Sequence, residues 1–161
     1  ANSSSYSGSG TTWTDLISSQ NATLVNTPTH STSSANGGGA FFFNSDNSEY
    51  ATTSFTKTQG AFSVSAWVKP AGDQPDSWQM LTGTRSGANM RLYVNTGLVV
   101  ASNSLTTSTI TGVEPLWIAS RSTSYGESYK GYISDLKIYT KQLDQSEITQ
   151  NYNALKDRYG L

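Results

Sequence analysis

Residues 131–161 leave the fold the least freedom. Gly131 to Tyr139 is an apolar-rich strand in which Ser134, Leu136 and Ile138 alternate with Ile133, Asp135, Lys137 and Tyr139. A helix follows with its start and stop written out. Asp144 stands at the N-cap position and Glu147 three residues on completes a capping box, while Leu143 and Ile148 take the positions of a hydrophobic staple. Ile148, Tyr152 and Leu155 form one apolar stripe, Lys156 and Arg158 suit the negative C-terminal end, and Gly160 ends the helix. A strand running into a capped terminal helix demands something for both apolar faces to pack against.

The rest of the chain supplies strands. Phe62, Val64, Ala66 and Val68 fall on one face of a segment opened by Gly60, with Ser63, Ser65, Trp67 and Lys69 on the other; Pro70 closes it. Ala40 to Phe43 is apolar throughout and reads as a central strand buried on both faces, with residues 49–52 as its hairpin partner across the turn at Asn44 to Ser48. Further strands are expected at 23–25, 78–84, 90–95, 98–101 and 116–120, and residues 102–112 are β-prone but weakly patterned. Residues 1–12 read as a flexible polar segment, and 29–39 as a Thr/Ser loop ending in three glycines. Many short strands followed by one helix predict a single all-β domain, residues 1–161, built as an antiparallel two-sheet jelly-roll sandwich with a short C-terminal α-helix.

Composition narrows the function classes. Ser and Thr make up 47 of 161 residues, only 13% are charged, and the net charge is −1, so the surface is polar yet uncharged and gives a nucleic acid no basic footprint. Cysteine is absent, which removes disulfides and thiolate sites. No apolar run is long enough to span a membrane, and the first residues do not form a signal peptide.

Several blocks carry a family pattern in order: Ser5 to Leu16, Gly38 to Phe43 with Glu49 and Tyr50, Phe62 to Pro70, Arg91 to Asn95, and Gly131 to Tyr139 with Glu147 and Ile148. Together they resemble the laminin-G-like family of concanavalin-A-like jelly-roll domains, particularly copies in bacteriophage and bacterial surface proteins. The resemblance implies two antiparallel sheets, one concave, with function in loops and on the concave face. It implies no single activity, since members include lectins, adhesion modules and structural spacers. Two departures stand out. The family carries a strand before the segment that begins at Ser5, where this chain starts, and a further hairpin where this chain has only Ala71 to Ser77.

Catalytic chemistry finds little purchase. His30, the only histidine, sits in the Thr/Ser loop with no acid beside it to orient it, and one histidine without cysteine disfavours zinc. Related glycosidases pair carboxylates two residues apart on a strand, but Glu49, Glu114, Glu127 and Glu147 are followed two positions on by Ala51, Leu116, Tyr129 and Thr149. No catalytic residue is therefore expected. Calcium is the one metal left open, through Asp46, Asn47 and Glu49 in one turn and Asp135 on the last strand; the plainer account of the turn is Asp46 and Asn47 bonding their own backbone. Trp67 and Lys69 share a face with two serines, where a Trp either stacks on a sugar ring or is buried under a covering loop. Tyr125, Tyr129 and Tyr132, in or beside a Gly/Ser loop, are the other binding candidates.

The leading expectation is a non-enzymatic virion module at the virion surface, a capsid decoration or tail-fibre domain that contacts other virion proteins or itself. The alternative is a lectin-type domain of a secreted or surface bacterial protein that binds cell-surface polysaccharide; an atypical glycanase comes last. Neither nucleic acid nor membrane is an expected partner, and no cofactor is required.

Overall fold

A computed structural model describes residues 4–35, 38–53, 55, 60–72, 76–104, 115–121 and 128–161. Among these residues eleven strands form two antiparallel sheets, and one short α-helix follows the last strand. The smaller sheet contains β1 (Thr12–Trp13), β2 (Ala22–Val25), β5 (Tyr50–Thr53) and β10 (Leu116–Ile118), side by side in that order. The larger takes β3 (Thr29–Ala35), β4 (Gly38–Phe43), β11 (Gly131–Tyr139), β6 (Ala61–Pro70), β7 (Gln79–Ser86), β8 (Asn89–Val94) and β9 (Gly97–Ser102). The all-β sandwich with one C-terminal helix is as expected from the sequence.

The central strands of the larger sheet are buried on both sides, whereas β8 and β9 at its edge are largely exposed. Between the sheets lie Leu24, Phe41, Phe43, Ala51, Val68, Ile118 and Ile133. The opposite face carries Ser63, Ser65 and Trp67, and the sequence leaves both an exposed and a covered Trp67 open. That face is the more deeply buried, because the C-terminal segment folds over it. There Trp67, Trp78, Met80 and Tyr93 pack against Leu143, Ile148 and Tyr159. The serines tolerate burial because they are bonded. Ser63 Oγ donates to the Lys141 carbonyl and accepts the Leu143 N–H, both at 2.9 Å, while Thr82 Oγ1 donates to Ser65 Oγ at 3.1 Å.

β11 sits between β4 and β6, and its simple alternation fails at one point. A bulge between Ser134 and Lys137, with Asp135 at φ 51°, shifts the phase. Ile133 and Leu136, an odd and an even position, therefore both reach the inter-sheet core, while Tyr132 and Tyr139 pack on the helix side. Helix α1 (Gln145–Asn153) starts as predicted: Asp144 accepts the Glu147 N–H at 2.9 Å, and Glu147 accepts the Asp144 N–H at 3.1 Å. It ends sooner than the stripe suggested. A separate 3-10 turn, Lys156–Tyr159, closes on Gly160 at φ 76° and delivers Tyr159 to the core.

The N-terminal reading needs three corrections. Residues 4–12 are not a loose tail: Ser5 and Tyr6 are buried, Tyr6 packs edge-on against Phe41 with ring centroids 4.9 Å apart, and its hydroxyl donates to the Gly10 carbonyl. One buried aromatic is enough to order a polar segment. His30 is no solvated loop residue but part of β3, its ring 4.9 Å from Tyr6 and 5.1 Å from Phe41. Finally, β5 is not the hairpin partner of β4. The 3-10 turn Ser45–Asn47 carries the chain from one sheet to the other, where β5 pairs with β2 and β10.

Candidate functional site

The sequence-predicted binding residues do not form one surface. Trp67 is 1% exposed, stacked on Tyr159 at 4.1 Å and 11° and on Tyr152 at 5.6 Å and 17°. It is a core residue, under the C-terminal helix and turn rather than a loop, and no sugar can reach it. Lys69, next on that face, pairs with Asp76 at 2.9 Å. Tyr129 packs against the inter-sheet core, burial pushes its hydroxyl pKa well up, and it donates to the Tyr132 carbonyl at 3.2 Å. Its hydroxyl occupies the space a side chain at Gly131 would need. Tyr132 lies against Phe42 and Trp78, with centroids 5.0 Å and 6.3 Å away. Tyr125 lies outside the described residues.

The carboxylates proposed for calcium are committed elsewhere. Glu49 is buried, accepting the Asn44 N–H at 2.8 Å and the Asn47 Nδ2–H at 3.1 Å, so Asn47 and Glu49 build the turn. Asp46 is ion-paired with Lys130, and Asp135 with Lys137. Among the described residues no three His, Cys, Asp or Glu converge as a metal cage would require. Glu147 is held by the capping box and by Lys141; Glu114 and Glu127 lie outside the described residues.

Among the described residues, the outer face of the small sheet is open. Its inward positions, Ala22, Leu24, Ala51, Thr53 and Ile118, are buried against the core. Strand alternation turns Thr12, Thr23, Val25, Tyr50, Thr52 and Trp117 the other way, and all six are exposed or half-buried. Tyr50 and Trp117 meet there with ring centroids 4.8 Å apart at 43°, a tilted aromatic pair. The pair is diagonal across neighbouring strands: Trp117 lies opposite Thr52, two residues from Tyr50. Such rings offer flat apolar surface to a ligand with an apolar face and polar rim.

Sequence reasoning missed this pair because it misassigned the partner of residues 49–52. Once β5 lies between β2 and β10, the register alone brings Tyr50 and Trp117 together. The alternation of Tyr50 and Thr52 with Ala51 and Thr53 was the available signal.

Residues 5–149 match the model of a laminin-G-like family described as the concanavalin A-like lectin/glucanases superfamily. No sequence among curated proteins matches the chain. Among solved structures, the chain is similar to domain 4 of a GH43 extracellular arabinanase from Geobacillus stearothermophilus, determined in complex with arabinotriose. The TM-score is 0.65 at 14% identity, over 80% of this chain and 86% of that one. It is also similar to the binding domain of botulinum neurotoxin serotype G, with TM-score 0.64 at 14% identity, over 86% of this chain and 47% of that one. A third is a structure of botulinum neurotoxin type C, whose cell entry is dependent upon interaction with two ganglioside molecules, with TM-score 0.61 at 12% identity, over 86% of this chain and 48% of that one. The chain thus spans about half the length of the toxin chains. At these identities the likeness is one of fold.

Proposed function

Because the chain belongs to the concanavalin A-like lectin/glucanase superfamily, we propose that it is a non-catalytic carbohydrate-binding module that holds a sugar ring on Tyr50 and Trp117. The observation that carries the proposal is the aromatic pair, set at 43° on an open sheet face whose reverse side is core. A pyranose or furanose presents C–H groups on one face and hydroxyls around its edge, and this face offers a partner for each: rings below, threonines beside. The fold relatives named above support a glycan ligand through an arabinanase domain held with arabinotriose and a toxin tied to gangliosides. Asp46, Glu49, Asp135 and Glu147 are each held in an ion pair, a turn or a helix cap, which supports binding without hydrolysis.

The phage-like sequence blocks would place such a module on a virion, with other virion proteins or further copies of itself as neighbours. The fold relatives lend their support to the carbohydrate reading instead, and a module on a bacterial surface would use the same face.

A glycan array followed by calorimetry on the best hits tests the proposal, with Trp117→Ala and Tyr50→Ala as variants and thermal unfolding as the control for folding. Binding by the parent and its loss in both folded variants is the expected result. Unchanged binding in folded Trp117→Ala refutes the assigned face. Release of reducing ends from a polysaccharide panel refutes the non-catalytic reading.

A further inference from the structure

The aromatic pair stands at one end of a longer feature. Register places Thr12 opposite Thr23, Thr23 opposite Thr52, and Thr52 opposite Trp117, so four residues from four strands form one straight row across the outer face. Adjacent strands are about 4.8 Å apart, so Thr23 stands roughly 10 Å and Thr12 roughly 14 Å from Trp117. Among the described residues, none of these three threonine hydroxyls takes part in a hydrogen bond within the protein. By contrast Thr53, on the inner face of β5, donates to the Gln20 carbonyl, Thr82 to Ser65, and Thr149 to the Gln145 carbonyl, while the buried Thr84 hydroxyl also has no partner among the described residues. The row therefore presents evenly spaced donor–acceptor groups whose capacity is unused.

The sheet is also uncharged. Its four strands, Thr12–Trp13, Ala22–Val25, Tyr50–Thr53 and Leu116–Ile118, hold no Asp, Glu, Lys or Arg. The larger sheet carries Lys69, Arg85, Arg91, Asp135 and Lys137. An anionic sugar laid across the small sheet would give up water around its charge and find no cation on these strands, a net cost. A neutral polyhydroxyl chain gives up only hydroxyl hydration, and the threonines replace it.

We propose that this face takes a linear, uncharged oligosaccharide of about three units, lying across the strands, with one end on Tyr50 and Trp117 and the following units over Thr23 and Thr12. The inference rests on the stacking reading above and adds ligand length, direction and charge. The threonine row supplies the directional part of recognition, and the ring pair supplies the apolar anchor.

Calorimetry with neutral series of one to four units (arabinose, xylose and glucose oligomers) and with sialyllactose as the acidic probe tests it. Affinity rises from one unit to three and levels off at four, and sialyllactose binds more weakly than neutral trisaccharides. Thr23→Val and Thr12→Val, which keep shape and strand preference, each lower the trisaccharide-to-monosaccharide affinity ratio about fivefold, the loss of one hydrogen bond of ordinary net strength. If affinity is flat with length, or the double threonine variant keeps the parent ratio, while Trp117→Ala still abolishes binding, the row is refuted and the aromatic platform stands. Tighter binding of sialyllactose refutes the neutral class. If Trp117→Ala binds as the parent does, or no member of the panel binds, the platform falls and the row with it.

Discussion

Tyr159, two residues before Leu161, should be one of the costliest side chains to remove. Its ring is buried, stacked 4.1 Å from Trp67 and tilted at 55° against Trp78 at 4.9 Å. Its hydroxyl donates to Ser134 Oγ at 3.0 Å, and Ser134 Oγ donates onward to the Gly39 carbonyl at 2.9 Å. Tyr159→Ala empties a large aromatic site, at a cost of about 3–5 kcal/mol, which includes two ring pairs each worth about 0.5–1.5. Tyr159→Phe keeps the packing and leaves Ser134 its bond to Gly39, so about 1 kcal/mol is expected. Urea unfolding followed by tryptophan fluorescence reads both, since Trp67 and Trp78 report on the packing that is lost. An alanine variant that loses less than about 1.5 kcal/mol, or a phenylalanine variant that loses as much as alanine, refutes this account of the C-terminal turn. The same burial, partly offset by the bond to Ser134, pushes the Tyr159 hydroxyl up to about 12 from an ordinary 10.0. The folded state then holds its proton where the unfolded state releases it. Stability falls as pH rises from 10 towards 12, and Tyr159→Phe flattens that limb.

Gly131 sits at φ 147°, and an added Cβ would lie 2.5 Å from the Lys69 carbonyl and 2.8 Å from Pro70 Cα; Gly131→Ala should cost at least about 2 kcal/mol in urea unfolding, since both clashes are with backbone. Asp144→Ala removes the capping box and should cost about 1 kcal/mol, read as a lower urea midpoint at unchanged slope. The Thr84 hydroxyl is buried with no partner among the described residues, so Thr84→Val should leave stability unchanged or raise it by up to about 1 kcal/mol; a comparable loss would reveal a bound water holding it. The Ser18 hydroxyl above all, then the N–H groups of Ile17, Gln20 and Ser18, hold the Asp15 carboxyl at about 2, below its ordinary 3.8, against desolvation. Its contribution is present above pH 4 and lost as pH falls towards 2, amounts to less than about 1 kcal/mol because the group is solvent-screened, and should vanish from the acid limb in Asp15→Asn.

The parts of the fold legible in the sequence are those whose signals are local. The capping box at Asp144 and Glu147, the staple of Leu143 with Ile148, and the burial of Phe41 and Phe43 each depend on neighbours within a few positions, and each is as read. The misread parts depend on distant chain. Alternation along β6 sorts its residues into two faces but does not say that residues 141–159 cover the one bearing Ser63, Ser65 and Trp67. The bulge at Asp135 leaves no mark in a pattern of period two except the breakdown of that pattern. The Tyr50–Trp117 pair requires knowing that β5 leaves β4 for the other sheet, a choice set by the turn at Asn44 to Ser48 and not by β5 itself.

The C-terminal segment also explains where a ligand can bind. The larger sheet carries the more conspicuous aromatic side chains, and on an uncovered sheet Trp67 and Trp78 would offer a stacking surface. Residues 141–159 occupy that face with rings of their own, so Tyr159 and Tyr152 hold Trp67 in the way a sugar would have been held. The inter-sheet face is filled by Phe41, Phe43 and their neighbours. Among the described residues, the outer face of the small sheet sets the half-buried rings of Tyr50 and Trp117 beside threonine hydroxyls that make no hydrogen bond within the protein. Stability and recognition are thereby assigned to different layers. Changes at Tyr50, Trp117, Thr23 or Thr12 remove no buried contact from either core cluster and should alter binding with little effect on unfolding. Changes at Trp67 or Tyr159 should do the reverse, and a variant at either position that lost glycan affinity at unchanged stability would overturn the separation.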